Sequence, residues 1–482
     1  MESMSIKKAA MINMVAKYSN VIIGLIFSAL IARILSPKDY GIVAIVTVFT
    51  TFFTIFTDMG IGSAIVQNKT LTTKDENSIF MFSAALGLTL AVFFSILGFP
   101  IALLYHNNVY RKIFPLLSLS LLFNTLNMVP NAKLMKAKKF LRVGIRTVVV
   151  TVVTYVVTII LALNGFKYYS LIIQSVLASI IQFFWNYYGS HLKFEKISRE
   201  SIGKIKGFFA FQFAFDIMNY FARNLDNLLL GRYLGEKKLG YYDKGYRLML
   251  YPINNLTFAI TPVLHPILSD HQDNKGYIYE QYVKILKILS LMGVYISVFC
   301  FFSSKEIILI MFGKQWGPAI KCFQYLSVSV WAQMVTTTAS SIYKSLGRTD
   351  LMFKSGLIHI PLSVALIIGG VFTKDIYIVA ALVSFGLVVK FFIEYYFLIG
   401  KGFGKSTVRF YKNFSWEVGF CIVLSGAFIL MKFVKIDNIV VSFTFKLLVS
   451  GILYLVLLLG SGQLKYFFAI MPSKVKNILK IK

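Results

Sequence analysis

The sequence has few cysteines, few charged residues and no long polar stretch. The three cysteines, Cys300, Cys322 and Cys421, show no pairing or Cys/His spacing typical of a zinc site or a disulfide framework. The longest polar stretches, residues 191–206 and 269–287, are too short for a soluble catalytic domain, which needs about 50 residues. Any function must therefore be carried out by the apolar segments.

Motifs for nucleotide binding and hydrolysis are also absent. The chain contains no P-loop, so we expect it not to hydrolyse ATP. It has no GxSxG or HExxH motif either. We therefore predict a protein that is not an enzyme and that holds no cofactor and no metal.

The composition that is present indicates a membrane protein. Hydrophobic residues make up 57% of the chain and charged residues 15%, whereas soluble domains are about 25% charged. The formal net charge is +30, which raises the question of nucleic-acid binding. The basic residues fall mostly between apolar runs, as the positive-inside rule requires, so we predict the lipid bilayer as partner and no nucleic acid.

The apolar runs predict about fourteen membrane spans. Some runs reach the about 20 residues that a bilayer needs, shorter ones are completed by flanking residues, and residues 207–231 are interrupted by charge. The fold class is therefore an all-α polytopic membrane protein. The predicted spans are residues 18–32, 41–57, 77–105, 113–132, 147–166, 168–190, 207–231, 248–264, 288–304, 322–343, 355–373, 376–389, 418–431 and 447–464.

The distribution of basic residues predicts the orientation. With both the N- and C-termini in the cytoplasm, cytoplasmic segments carry about twice as many Lys and Arg residues as external ones. The exception is residues 232–247, predicted as an external loop with five basic residues. This predicted loop directly follows the seventh span.

An internal repeat links two parts of the chain. Residues 33–41 and 232–240 share Arg, Leu, Lys and Gly at a constant offset of 199 residues, as from Arg33 to Arg232. Coincidence at a turn is the alternative, because glycine is common there. A parallel repeat predicts two six-helix lobes, residues 1–206 and 207–412, and a further pair of helices in residues 413–482.

The seventh predicted span carries a polar stripe. Polar residues recur every three or four positions, which places them on one helix face. The functional interpretation is the wall of a substrate cavity, and the alternative is that Asp216 or Asp226 only neutralises Arg223. The residues are Gln212, Asp216, Asn219, Arg223, Asn224, Asp226 and Asn227.

Other polar residues inside spans have two interpretations each. At the repeat offset, Lys17 and Asn20 match Asp216 and Asn219, although Lys17 could instead reach the membrane surface. Asp58, at the end of the second span, is predicted either to couple to an ion or to satisfy backbone groups. His359 is more typical of a packed residue than of a proton relay, and Lys390 and Glu394 are predicted to pair.

Seven short segments together carry a family resemblance: residues 32–41, 58–60, 64–67, 223–227, 231–235, 239–242 and 312–316. They resemble the polysaccharide transporter family, the Wzx-type flippases of the multidrug/oligosaccharidyl-lipid/polysaccharide (MOP) exporter superfamily. The resemblance covers most of the chain, about residues 5–410, and it is weakest in the last two helices.

The resemblance implies a central cavity between two lobes and an alternating-access cycle. It implies undecaprenyl-diphosphate-linked oligosaccharide as cargo, coupling to H⁺ or Na⁺, and residence in the bacterial cytoplasmic membrane. A polymerase or export machinery is an implied partner, and we expect a monomer. Arg223 could bind the diphosphate, and Asp58, Asp216 or Asp226 could carry the coupling cation inward.

Two other functions remain open from the sequence. A small-molecule or cation antiporter of the multidrug exporter (MATE) type would share the fold. Such exporters usually have twelve helices and a carboxylate-centred site in one lobe. A membrane polymerase or ligase is the third possibility, but these enzymes tend to need a large external loop, which this chain lacks.

Overall fold

In the described residues, every element of secondary structure is helical. The computed structural model describes residues 6–58, 61–68, 70–203, 210–257 and 274–470. Within these ranges, the side chains of residues 6–13, 57–58, 63, 210–219, 222 and 468–470 lie outside the description.

Eleven helical stretches in the described residues are long and apolar enough to cross a membrane. They correspond to predicted spans one to six, nine and eleven to fourteen. The seventh span forms a helix, Ala210–Tyr233, but Asp216, Arg223 and Asp226 make it more polar than the others. The structure is thus that of a multi-pass membrane protein, and the count of fourteen spans stays a prediction, as does the cytoplasmic position of both termini.

The first compact unit, Met1–Gly240, is a bundle in which α4 packs on α5, α5 on α7, and α1 on α6. Helix α4 begins with a capping box, because the Asp75 N–H donates to Thr72 Oγ1 and the Thr72 N–H donates to Asp75 Oδ2. The helices are α1 (Ile6–Ile34), α2 (Pro37–Asp58), α3 (Ile61–Gln67), α4 (Thr73–Leu104), α5 (Val109–Lys136), α6 (Phe140–Leu163), α7 (Tyr168–Ser190), α8 (Arg199–Gly203) and α9 (Ala210–Tyr233).

The second compact unit, Tyr241–Lys482, is built around one long buried helix, α11. Helix α10 (Glu236–Leu256) begins in the first unit and continues into the second. The other helices are α11 (Lys275–Phe302), α12 (Ser304–Phe312), α13 (Ala319–Ser327), α14 (Val330–Thr336), α15 (Ala339–Ser345), α16 (Thr349–Phe372), α17 (Ile376–Tyr395), α18 (Thr407–Lys412), α19 (Ser415–Met431), α20 (Ile439–Gly460) and α21 (Leu464–Ile470). The boundaries between these units differ from the three predicted segments, which stay a prediction.

The tenth predicted span is not one regular helix. It consists of three consecutive segments, α13, α14 and α15. Hydroxyl groups near both breaks donate to backbone carbonyls of the preceding turn, as Ser329 does to Leu326 and Thr338 does to Val335. Such bonds compete with the helical ladder and bend helices, which explains the breaks in an otherwise apolar run.

The last two long helices, α19 and α20, are joined to the rest of the second unit by one buried and one partly buried ion pair. Lys287 on α11 donates to Glu417 on α19 at 2.7 Å. Lys446 on α20 donates to Glu306 on α12 at 2.5 Å. Aromatic side chains of both helices also pack against α11, so these helices are part of the unit's core.

Candidate functional site

The two copies of the sequence repeat adopt the same local structure. The first helix of each copy ends at Ile34 or at Tyr233, and the next begins at Pro37 or at Glu236. The end of the first helix and the start of the second are each displaced by 199 residues between the two copies. The repeat predicted from four matching residues is therefore also a repeat of helix boundaries.

The two turns contact each other reciprocally through two glycines. A Cβ added at Gly41 would lie 1.7 Å from the carbonyl oxygen of Glu236, and one added at Gly240 would lie 1.9 Å from that of Pro37. Because residues 37 and 41 correspond to 236 and 240, each turn makes the same contact with the other. Such reciprocity is the property of a two-fold axis, here a pseudo-two-fold within one chain. Only glycine permits so close an approach.

The turn of the first copy is held by a capping box. The Ser36 N–H donates to Asp39 Oδ2 at 3.0 Å, and the Asp39 N–H donates to Ser36 Oγ at 3.3 Å. The other oxygen of Asp39 accepts the Tyr168 N–H at the start of α7, at 3.2 Å. Asp39 thus joins the turn to a second helix of the unit.

The turn of the second copy is held by different contacts. Gly235 corresponds to Ser36 but has no side chain, so it cannot form a capping box. It adopts a positive φ of 87°. Glu236 accepts hydrogen bonds from the Asn107 amide at 2.5 Å and from the Tyr110 hydroxyl at 2.9 Å. Tyr105 donates to the Leu228 carbonyl at 3.1 Å.

The predicted stripe on α9 is described only in its second half. Asp216 and Asn219, and also Gln212, lie on the helix, but their side chains lie outside the described residues. Arg223 is exposed, whereas Leu230, on nearly the same helix face, is fully buried. The face is therefore open at Arg223 and covered two turns later.

The remaining polar residues of the stripe bond mainly within α9. The Asn224 amide donates to the Tyr220 carbonyl at 2.9 Å, and Asp226 Oδ1 accepts the Asn227 N–H at 2.8 Å. Asp226 and Asn227 are buried, and Asn227 Oδ1 has no hydrogen-bond partner in the described part of the chain. The roles of Arg223, Asp226 and Asn227 as cavity residues stay a prediction.

The other predicted polar residues lie on α1, at the end of α2 and on α17. Lys17 and Asn20 lie half-buried on α1, and no described residue bonds to the buried Asn20 Oδ1. Asp58 is the last residue of α2, and its side chain lies outside the described residues. Lys390 and Glu394 lie 4.0 Å apart as predicted, from Nζ to Oε2.

The basic segment at residues 232–247 is not the loop that we predicted. After a two-residue break it continues as helix α10. Lys244 is buried with its Nζ 4.4 Å from the ring centre of Phe312 and 5.5 Å from that of Trp316. Arg247 donates to the buried Asp243 at 2.7 Å. Lys244 and Arg247 therefore have partners within the protein, whereas the external position of this segment stays a prediction.

An apolar cavity of about 540 Å³ lies in the second unit between α11, α14, α17 and α19. Phe301, Trp331, Phe391 and other apolar side chains line it, and Glu417 is a polar group at its wall. Among the described residues, no group of three His, Cys, Asp or Glu side chains could hold a metal ion. The sequence carried no signal for this cavity, because its walls come from four distant segments.

These features define a multi-pass helical membrane protein built on a repeated helix pair. The profile of the family described as polysaccharide biosynthesis protein matches residues 30–321, more than half of the chain. The chain belongs to this family, which confirms the resemblance inferred from its motifs.

Relatives and solved structures agree with this assignment. The lipopolysaccharide biosynthesis protein WzxC of Escherichia coli (strain K12) is 22% identical, over 72% of each chain. The structure of the lipid II flippase MurJ in an inward closed conformation matches with a TM-score of 0.73 at 16% identity, over 94% of this chain and 99% of MurJ. An inward-facing MATE family transporter of the MOP superfamily matches with a TM-score of 0.57 at 16% identity, over 78% and 93%. The predicted membrane transporter fold is confirmed.

Proposed function

We propose that this protein is a flippase that moves lipid-linked oligosaccharides across the membrane, and that it is a transporter and not an enzyme. The observation that carries the proposal is the fold shared with a lipid II flippase over 94% of the chain. Membership of a polysaccharide biosynthesis family supports a saccharide as the cargo. The reciprocal helix-pair repeat is also typical of transporters that work by alternating access.

The cargo in this proposal is an undecaprenyl-diphosphate-linked repeat unit. It moves from the cytoplasmic to the outer leaflet of a bacterial cytoplasmic membrane. The flipped units supply a capsule, exopolysaccharide, O-antigen or teichuronic-type polymer, and a polymerase or export machinery takes them over. The flippase works as a monomer with both termini in the cytoplasm.

Recognition of the diphosphate requires a cation that the cargo can reach. Arg223 is exposed on α9 and can bind a phosphate group with two parallel hydrogen bonds. The buried Asp226 lies one turn further on. We assign Arg223 to the cargo headgroup, and Lys17, Asn20, Asp216, Asn219, Asn224, Asp226 and Asn227 to the surrounding cavity.

The membrane potential affects the two halves of the cycle differently. A potential of 100 mV is worth about 2.3 kcal/mol per elementary charge, so it assists outward movement of an anionic headgroup. The same field opposes the return of an empty, cationic cavity. An inward-moving H⁺ or Na⁺ on Asp58, Asp216 or Asp226 removes this opposition, which is our reason for proposing ion coupling.

The test is a sidedness assay in cells that make a lipid-linked repeat unit. An impermeant oxidant that labels sugars measures the fraction of units in the outer leaflet. We expect this fraction to fall in a deletion strain and to be restored by the wild type and by Arg409→Ala, a control at another exposed arginine. Arg223→Ala should not restore it. An unchanged fraction in the deletion strain would rule out the flippase, whereas restoration by Arg223→Ala would rule out only the assigned residue.

The second candidate is a MATE-like antiporter of small molecules or cations, which the shared fold supports over 78% of the chain. Purified protein in liposomes that moves cationic drugs, but not lipid-linked sugars, would select it. A polysaccharide polymerase is the third candidate. Its loss would leave lipid-linked units in the outer leaflet, whereas loss of a flippase leaves them in the cytoplasmic leaflet.

A further inference from the structure

Two arginines lie one turn apart on α6, with Arg142 against α7 and Arg146 against α5. The Arg142 guanidinium donates to the Trp185 carbonyl at 3.2 Å and lies against Gly189, where an added Cβ would be 2.4 Å from Arg142 Cζ. Arg146 is only 8% exposed, and its Nη1 donates to Asn131 on α5 at 3.0 Å. In the described part of the chain, neither arginine forms a salt bridge.

Polar atoms between these helices lack partners. A guanidinium has five N–H donors, and Arg146 uses two of them, since its Nε has no acceptor in the described chain. The buried Asn186 Oδ1 on α7 also has no described partner. Buried charges in proteins are normally paired, so this cluster has an excess of positive charge that an anion would neutralise.

Two lysines near the end of α5, in contrast to the arginines, bind a carboxylate. At the adjoining end of α5, Lys133 and Lys136 both bind Glu76, at 3.0 Å and 3.5 Å. This carboxylate is therefore occupied by two lysines. The arginines on α6 are left with neutral amide, carbonyl and hydroxyl acceptors only.

The two arginines adjoin apolar surfaces that face outward on both helices. On α6, the exposed Leu141 and Ile145 immediately precede Arg142 and Arg146 in the chain. Exposed apolar residues recur at the same spacing on α7, at Phe184 and Tyr188. In a membrane-spanning helix such rows face lipid chains, so an amphiphile could place its head at the arginines and its tail along the rows.

We propose that Arg142 and Arg146 form a binding site for the phosphate group of a membrane lipid, with its hydrocarbon chain along α6 and α7. Arginine suits this role because its planar fork matches phosphate oxygens in a bidentate fashion. The phosphate belongs either to an anionic phospholipid or to a polyprenyl phosphate carrier. The site does not depend on the proposed flippase activity, since a structural phospholipid would satisfy the same groups.

The test measures lipid binding to delipidated protein by native mass spectrometry. The probes are phosphatidylglycerol, undecaprenyl phosphate and diacylglycerol, which has no phosphate. The double variant Arg142→Gln/Arg146→Gln should bind at least one phosphate lipid about tenfold or more weakly than wild type, because charge-assisted hydrogen bonds are lost. Its weak binding of diacylglycerol should match that of wild type.

The matched control is Lys138→Gln/Lys139→Gln, which removes the same charge from exposed positions just before α6. We expect this control to bind all three lipids as wild type does. A defect for undecaprenyl phosphate alone would identify a carrier-lipid site, and a defect for both phosphate lipids a general phospholipid site. Equal binding by wild type and the arginine variant, or an equal defect in the lysine control, would overturn the proposal.

A conservative variant covers the case in which the double variant does not fold. Arg146→Lys keeps the charge but loses the planar fork, so it should weaken phosphate-lipid binding by a smaller factor. Lipid-dependent thermal stabilisation provides the second readout, because a bound ligand stabilises only the protein that holds it. Unchanged stabilisation of Arg146→Lys by both phosphate lipids would count against the site.

Discussion

Two lysines of the second unit and two arginines of the first unit differ in the groups that they bind. In the second unit, Lys287 and Lys446 each bind a glutamate on another helix at 2.7 Å or less. In the first unit, Arg142 and Arg146 contact neutral acceptors only, and no carboxylate in the described chain pairs with them. The pairs hold helices together, whereas the unpaired arginines have the chemistry of a binding site.

A second difference concerns how helices are joined. The second unit fastens α19 and α20 with charges, while the first joins its two repeated turns by backbone contact at Gly41 and Gly240. An atom added at a close backbone contact destabilises the fold by overlap. Loss of one partner of a buried ion pair destabilises it by leaving a charge unpaired. We therefore expect substitutions at the two kinds of contact to change the unfolding free energy by different amounts.

The largest effect is expected for Lys287→Leu. It leaves Glu417 buried without its cation, and breaking a buried pair costs about 3–5 kcal/mol of unfolding free energy. The double variant Lys287→Leu/Glu417→Leu should recover most of this loss, because no buried charge remains. Denaturant unfolding in mixed micelles measures both. Equal losses in the single and double variants would show that packing, and not charge, holds α19.

An intermediate effect is expected for Gly41→Ala. The added Cβ would overlap the Glu236 carbonyl, and overpacking of this kind costs about 1–3 kcal/mol or more. Gly240→Ala should behave alike because the contact is reciprocal. Gly24→Ala is the control, since its Cβ would meet the Tyr155 hydroxyl at an ordinary 3.7 Å. If all three variants were equally stable, the close contact would not exist in the folded protein.

The smallest effect is expected for Arg146→Gln in delipidated protein. The change leaves no carboxylate without a cation, so the unfolding free energy should stay within about 1 kcal/mol of wild type. The same unfolding assay measures it beside Lys287→Leu. A loss as large as that of Lys287→Leu would mean that an acidic partner neutralises Arg146, and the contrast between the units would disappear.

The hydrophobic pattern was sufficient to predict most of the helices. Eleven predicted spans reappear as helical stretches of membrane-spanning length, because an apolar run of about 20 residues has few other folded states. The repeat could also be predicted, because Arg33 and Arg232 begin equivalent turns. The stripe on α9 followed from periodicity alone, although its role stays a prediction.

Prediction from the sequence was weakest where local and distant interactions compete. The uncharged tenth run indicated one helix, but its hydroxyl groups bond to the backbone and divide it. The basic residues at 232–247 indicated a loop, but Lys244 is buried over the rings of Phe312 and Trp316. Those rings lie about 70 residues further along the chain, beyond the reach of any local pattern.

The sequence by itself determined the membrane as solvent, the helical class and the repeated turn, since these depend on composition and on neighbours within one or two helical turns. Only the tertiary structure decided which cations are paired. Lys287 and Glu417 are far apart in the chain, and their pairing depends on how α11 and α19 pack. The same holds for Arg146, whose lack of a carboxylate partner in the described chain is a property of the helices around it. The sequence determines which residues carry a charge, but whether an opposite charge neutralises them depends on three-dimensional proximity.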